Sequence, residues 1–230
     1  MFKSILFISF YSLQTFANPI LKKADSYRTL NFSHSYQILI RDEKANDTSE
    51  FNVFVSKDDA LAVQTVPGKS KDRKILMKSS ELWMFTPNIN RPIRINLAQR
   101  LAGDISNGDI LRTNFADDYE AQEIKESNAS ADVLVYNLTK KTDNATYSKI
   151  KYYLQKGSFK PLKSIFYAAS GKELKTAHYL LYKKILGQEI FTQVKIQDQT
   201  KGSSSTVSYS GHKKRNYPDS FFNKDAVVNF

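Results

Sequence analysis

The chain has 230 residues, of which 41% are hydrophobic, 25% charged and 13% aromatic, with 8 Gly and 6 Pro. That balance excludes collagen-like, stalk-like and generally disordered chains and allows a core that needs no covalent staple. Lys and Arg number 34 against 23 Asp and Glu, a formal net charge of +11, and there is no cysteine, which excludes thiol catalysis, disulfide frameworks, iron–sulfur clusters and cysteine-ligated zinc.

The first 17 residues read as an export signal. Lys3 supplies a positive start, residues 5–11 are apolar, and Thr15-Phe16-Ala17 puts small residues at the cleavage positions. The apolar run is short of the ~20 residues a spanning helix needs. Cleavage is expected after Ala17, with 18–230 forming a single domain in the periplasm. For an exported chain, positive charge points to anionic headgroups or a wall polymer, not to nucleic acid. The densest basic clusters, Lys69 to Lys74 and His212 to Arg215, read as solvated surface.

Residues 19–28 have the spacing of a short helix, with Leu21, Ala24 and Tyr27 on one side. The period then changes to two. Leu30, Phe32, Tyr36, Ile38 and Ile40 alternate with polar residues, interrupted only by His34. Phe51, Val53 and Val55 make a second strand, and Leu61, Val63 and Thr65 a third. Ile75 and Met77 pair with Leu82 to Phe85 in a predicted hairpin. Residues 88–118 carry Pro, Gly and Asn punctuation; they read as a short strand at 91–95, a helical turn at 97–101 and an irregular or helical cover beyond. Strands resume from 119 to 209, with Ser170-Gly171 as a hairpin turn. Many strands at short spacing predict a sandwich or barrel. If their inner faces are apolar they enclose either a cavity for an acyl chain or a filled core, and periodicity does not separate the two.

One stretch is more specific. Leu82-Trp83-Met84-Phe85-Thr86-Pro87, followed by Arg91-Pro92-Ile93-Arg94-Ile95, resembles the L-W-x-aromatic-x-P segment of LolA-like periplasmic carriers. Residues 75–119, about a fifth of the chain, look closest to the outer-membrane lipoprotein-sorting branch of that superfamily. The resemblance implies a mainly β fold with short helices: a strongly curved antiparallel sheet forming an unclosed, half β-barrel with a helical lid, LolA/LolB-like. It also implies a carrier that shields lipoprotein acyl chains or lipid between inner and outer membrane. An inner-membrane exporter, an outer-membrane acceptor and transient membrane contact come with that role. The alternative is a non-enzymatic envelope binding or scaffold module associated with an exporter.

On this reading Leu30, Phe32, Tyr36, Ile38, Ile40, Phe51 and Val53 line the cavity. Trp83 and Phe85, on the same strand face, join them by the family's preference. Arg91, Arg94 and Arg100 are expected at the rim, where charge-assisted bonds hold anionic headgroups. LolA carriers use an arginine to hold the lid shut; Arg28, Arg41 and Arg73 all remain open for that part here.

No catalytic, metal or cofactor constellation is read from the sequence. Asp42-Glu43, Asp58-Asp59 and Asp117-Asp118 are adjacent pairs, which a strand points to opposite faces. Ser203 to Ser205 lacks a nucleophile elbow, and Gly171-Lys172 lacks a phosphate-binding loop. An enzyme is not expected.

Overall fold

The computed structural model describes residues 18–228 except 68–69, 80, 88, 112–113 and 144. The expected export signal lies outside the described residues. Helix α1 (Pro19–Asp25) starts where Asn18 accepts hydrogen bonds from the Ile20 and Leu21 amides and Pro19 occupies the first turn. The strands that follow are β1 (His34–Asp42), β2 (Asp47–Ser56), β3 (Asp59–Val66), β4 (Lys74–Lys78), β5 (Glu81–Thr86) and β6 (Ile89–Ile95). A crossing segment holds the small β7 (Arg100–Ala102) and β8 (Ile105–Ser106) pair, then α2 (Asn107–Leu111) and α3 (Phe115–Asp118). The second run is β9 (Tyr119–Ile124), β10 (Val133–Lys140), β11 (Lys149–Gln155), β12 (Pro161–Tyr167), β13 (Glu173–Ile185), β14 (Gln188–Asp198) and β15 (Ser203–Lys214). A 3-10 turn (Asp219–Phe222) and α4 (Lys224–Val228) end it.

Among the described residues, thirteen strands form one antiparallel sheet in the order β6-β5-β4-β3-β2-β1-β15-β14-β13-β12-β11-β10-β9. Two meanders are thus joined through their first and last strands, β1 and β15, while β6 and β9 remain as edges. Inward residues of β1, β5, β10 and β14 (Ile38, Leu82, Leu138 and Val194) belong to one buried cluster, so the sheet wraps around its own concave face. It is a large antiparallel sheet that does not close, as the resemblance implies. Among the described residues, no helix is long and apolar enough to cross a membrane.

Alternation fixes which side chains face inward. In β1 the buried positions are His34, Tyr36, Ile38, Ile40 and Asp42. His34 therefore keeps the period it was expected to break, its ring stacked on Tyr36 at 5.5 Å between centroids. The register pairs Tyr36 with Val53 and Ile38 with Phe51. Leu30 and Phe32 precede the strand and lie in the loop between α1 and β1. The helical turn expected at 97–101 is instead a turn leading into β7.

The convex face carries a second cluster that periodicity missed. Leu61, Val63, Leu76 and Phe85 are covered there by Phe222 and Val227 from the chain's end, with Trp83 and Phe221 packed alongside. Strand β4 is consequently buried on both sides. This corrects the inward assignment of Trp83 and Phe85. Their neighbours Leu82 and Met84 face the concave cluster, so alternation sends Trp83 and Phe85 outward.

Candidate functional site

The concave face is the candidate site, and the chain itself covers it. Ile38, Ile40, Phe51 and Val53 lie at its centre, each at most 1% exposed. Over them pack Leu21 and Ala24 of α1 and, from the crossing segment, Leu101, Ile105, Ile110, Leu111 and Phe115. The cover side chains pack into the interior, and a small space of about 30 Å³ lies among Arg28, Phe115, Tyr147, Phe166 and Phe191.

Space opens at the mouth. Two adjoining clefts of about 470 and 530 Å³ share Thr29, Leu30, Asn31, Lys57, Asp58, Met77 and Leu111. Phe32 and Tyr36 line the larger one, beside Lys214 and Arg215. Met77 of the sheet and Leu111 of the cover thus face the same opening.

Two sets of polar bonds hold the cover. Nearest the mouth, the Arg28 side chain, 5% exposed, donates from Nη1 to the Tyr179 hydroxyl at 3.0 Å. Its guanidinium lies 4.0 Å from the centre of the Phe115 ring. Asp25 Oδ1 is 4.0 Å from Arg28 Nε, and Asp25 Oδ2 accepts the Ala116 amide at 2.8 Å. One carboxylate therefore joins α1 to α3. Burial pushes the Asp25 carboxyl up to about 7, with the Arg28 charge and the two backbone amides of α3 opposing it. Burial works against the Arg28 charge, but the tyrosines and Asp25 around it hold it protonated.

At the other end the crossing segment is fixed to the sheet. Lys175 Nζ donates to Ser106 Oγ at 2.7 Å and to Asp109 Oδ2 at 3.1 Å, and the Tyr147 hydroxyl donates to Asp109 Oδ1 at 2.6 Å. Asp104 accepts from the Ser203 and Ser205 hydroxyls at 2.7 and 3.1 Å. Arg73 Nη2 donates to the Leu101 carbonyl at 2.9 Å. Of the three arginines considered for a lid contact, Arg28 and Arg73 touch the cover and Arg41 is exposed.

The expected site residues separate into three groups. Leu30, Phe32 and Tyr36 lie at the mouth; Ile38, Ile40, Phe51 and Val53 lie beneath the cover; Trp83 and Phe85 lie on the convex face. Arg91, Arg94 and Arg100 do not form a rim together. Arg91 and Arg94 are exposed on edge strand β6, Arg94 paired with Glu81 at 3.0 Å. Arg100 is 3.9 Å from Asp42 and lines a separate cleft of about 260 Å³ at the opposite end. Sequence reasoning missed Asp25 and Phe115 as partners of Arg28, because their meeting depends on the crossing segment folding back over the sheet. The signal present was Asp25 and Arg28 at a three-residue spacing in a predicted helix. Among the described residues, no group of three or more His, Asp or Glu stands ready to hold a metal ion.

A family model described as an uncharacterized protein matches residues 56–229. No curated protein matches the chain. Among solved structures, a LolA superfamily protein from Nitrosomonas europaea is 36% identical, with a TM-score of 0.84, covering 91% of this chain and 98% of that one. A putative outer membrane lipoprotein-sorting protein domain from Vibrio parahaemolyticus is 18% identical, with a TM-score of 0.77 and coverage of 91% and 97%. A DUF1329 family protein from Desulfovibrio piger is 20% identical, with a TM-score of 0.75 and coverage of 90% and 96%. The last two share the fold.

Proposed function

Because the chain belongs to the LolA superfamily, we propose that it is a periplasmic carrier that shields acyl chains of lipoprotein or lipid on its concave face. The single observation that carries this reading is the continuous apolar inner surface lying under a cover of short elements. Acyl chains cost about 0.8 kcal/mol per CH₂ to expose to water. Covering them takes non-directional burial, which Ile38, Ile40, Phe51 and Val53 supply. In the closed form Leu111, Ile110 and Phe115 lie where cargo would go, so loading requires α1, α2 and α3 to move aside. Cargo then takes the place of the cover's apolar side chains against the sheet, which keeps the two forms within a few kcal/mol. An inner-membrane exporter and an outer-membrane acceptor would be its partners, and no reaction is catalysed.

The experiment is mass spectrometry of lipid extracted from the protein purified from periplasm without detergent, and again after incubation with liposomes and with a lipidated peptide. Stoichiometric lipid or peptide supports the carrier. Its absence from all three samples sinks it. The second reading, an envelope scaffold module associated with an exporter, is favoured by the filled interior and predicts that absence together with a captured protein partner.

A further inference from the structure

The hairpin β13–β14 extends beyond its neighbours. Strand β12 pairs with β13 only as far as Lys163 opposite His178. Strand β15 pairs with β14 only from Gln193 onward. The distal part, residues 179–192, therefore has no ladder partner on either side among the described residues, apart from the hairpin's own pairing. This overhang carries Leu180 and Leu181, each 49% exposed, and Leu186, 51% exposed, three of the six large apolar side chains exposed among the described residues.

The turn adds an independent observation. Leu186 and Gly187 both have positive φ, at 48° and 91°. A two-residue turn of this kind ordinarily takes Asn-Gly or Asp-Gly, because a bulky side chain is strained there. Here an exposed leucine occupies the strained position at the very tip. Neither folding nor solubility gains from that choice, whereas an apolar binding surface does.

Charge identifies the occupant. Lys183 and Lys184 stand exposed at the tip, and its one acidic residue, Glu189, is already held by Lys160 at 2.8 Å. Lys160 also lies 4.8 Å from the Tyr182 ring, and Lys23 of α1 lies 5.1 Å from Tyr27. Leucines flanked by lysines match a bilayer interface, with apolar side chains below anionic headgroups. The tip is also tied to the mouth. Gln188 lines the 470 Å³ cleft; its amide donates to the Ser26 and Thr29 carbonyls, and its oxygen accepts from the Asn31 amide at 3.3 Å. The loop it holds is the one joining α1 to β1.

We propose that the β13–β14 tip is a docking element for an anionic phospholipid bilayer, seating Leu186 at the interface beside Lys183 and Lys184 and bringing the mouth against the membrane. This deepens the carrier reading, on which it rests, by naming the surface through which cargo would pass. The test is co-sedimentation of the protein purified from periplasm with vesicles of phosphatidylglycerol and phosphatidylethanolamine, against vesicles of phosphatidylcholine alone. Leu186→Asn suits the turn better than leucine, so its effect is not one of misfolding. The expected result is salt-sensitive binding to the anionic vesicles only, weakened roughly tenfold by Leu186→Asn, about 1.4 kcal/mol, and ~100-fold by the Lys183→Glu/Lys184→Glu pair.

No binding by the wild type, equal binding to phosphatidylcholine, or unchanged binding by both variants overturns the proposal. So does self-association that Leu186→Asn abolishes in sedimentation, which would assign the tip to a second copy of the chain. Lipid content measured on the same preparations separates the two readings. Vesicle binding without any carried lipid defeats the carrier and not the docking tip, while carried lipid without vesicle binding does the reverse.

Discussion

The guanidinium of Arg28 lies 4.0 Å from the centre of the Phe115 ring, so a charge from the loop after α1 and an aromatic from the cover meet inside the unclosed barrel. Asp25 and Tyr179 also contact it. Removing one partner of a buried pair leaves the other charge uncompensated. Arg28→Met is therefore expected to destabilise the protein by about 3–5 kcal/mol at pH 8. The double variant Asp25→Asn/Arg28→Met, which buries no charge, is expected to recover most of that loss. Urea unfolding of both variants measures it, and equal losses would show that the pair does not act as a unit.

The same carboxylate makes stability depend on pH. Burial raises Asp25 from 3.8 to about 7 in the folded chain, against the pull of Arg28 and the amides of Phe115 and Ala116, while Asp117 adds to the rise. Between those values the folded state binds more protons than the unfolded state. Its contribution to stability is therefore complete below about pH 4 and lost as pH rises through 7. Asp25→Asn keeps an oxygen acceptor for the Ala116 amide but does not titrate. Its urea midpoint is expected to vary less between pH 5 and pH 8 than that of the wild type; parallel profiles would remove Asp25 as the source.

The strands were legible where a period of two holds, as in β1, and Ile38, Ile40, Phe51 and Val53 needed nothing else to be assigned inward; that the sheet stays open was implied by the resemblance carried on residues 82–95 and not by the period. Trp83 and Phe85 were misassigned because alternation says which residues share a face and not what covers it. That depended on Phe222 and Val227 returning across the convex side, a contact between segments far apart in sequence. The cover resisted reading for a related reason. Elements as short as α2 and α3 have too few residues to display a period, and their positions come from tertiary bonds such as Asp25 to Ala116 and Lys175 to Asp109.

The convex placement of Trp83 gives a direct optical test, since it is the only tryptophan in the chain. It packs against the cluster built on Phe222 and Val227, with Lys224 Nζ 4.1 Å from its ring centre. Deleting residues 217–230 is expected to red-shift its emission and to lower stability by about 3–6 kcal/mol, roughly 1.5–3 kcal/mol for each of the buried side chains Phe222 and Val227. Lipid loading is expected to match that of the full chain, because the concave face is untouched. Unshifted fluorescence would contradict the docked tail.

The cover can also be tested without touching any charge. Gly108 of α2 packs so closely that a Cβ there would lie 2.1 Å from Thr146 Oγ1 and 2.9 Å from Thr146 Cβ, while its amide bonds to the Leu97 carbonyl at 2.8 Å. The collision involves the base of the threonine side chain, so rotation alone does not relieve it. Gly108→Ala is expected to push α2 off the sheet, at a cost to the closed form of about 1–3 kcal/mol. The apolar face beneath Ile110 and Leu111 is then uncovered more often. A hydrophobic dye is expected to bind Gly108→Ala more strongly than wild type, with the far-ultraviolet β signal unchanged. Adding Thr146→Gly, which removes the side chain that the new methyl group meets, is expected to restore wild-type binding. Enhanced dye binding that persists in the double variant would place the exposed surface elsewhere than under α2.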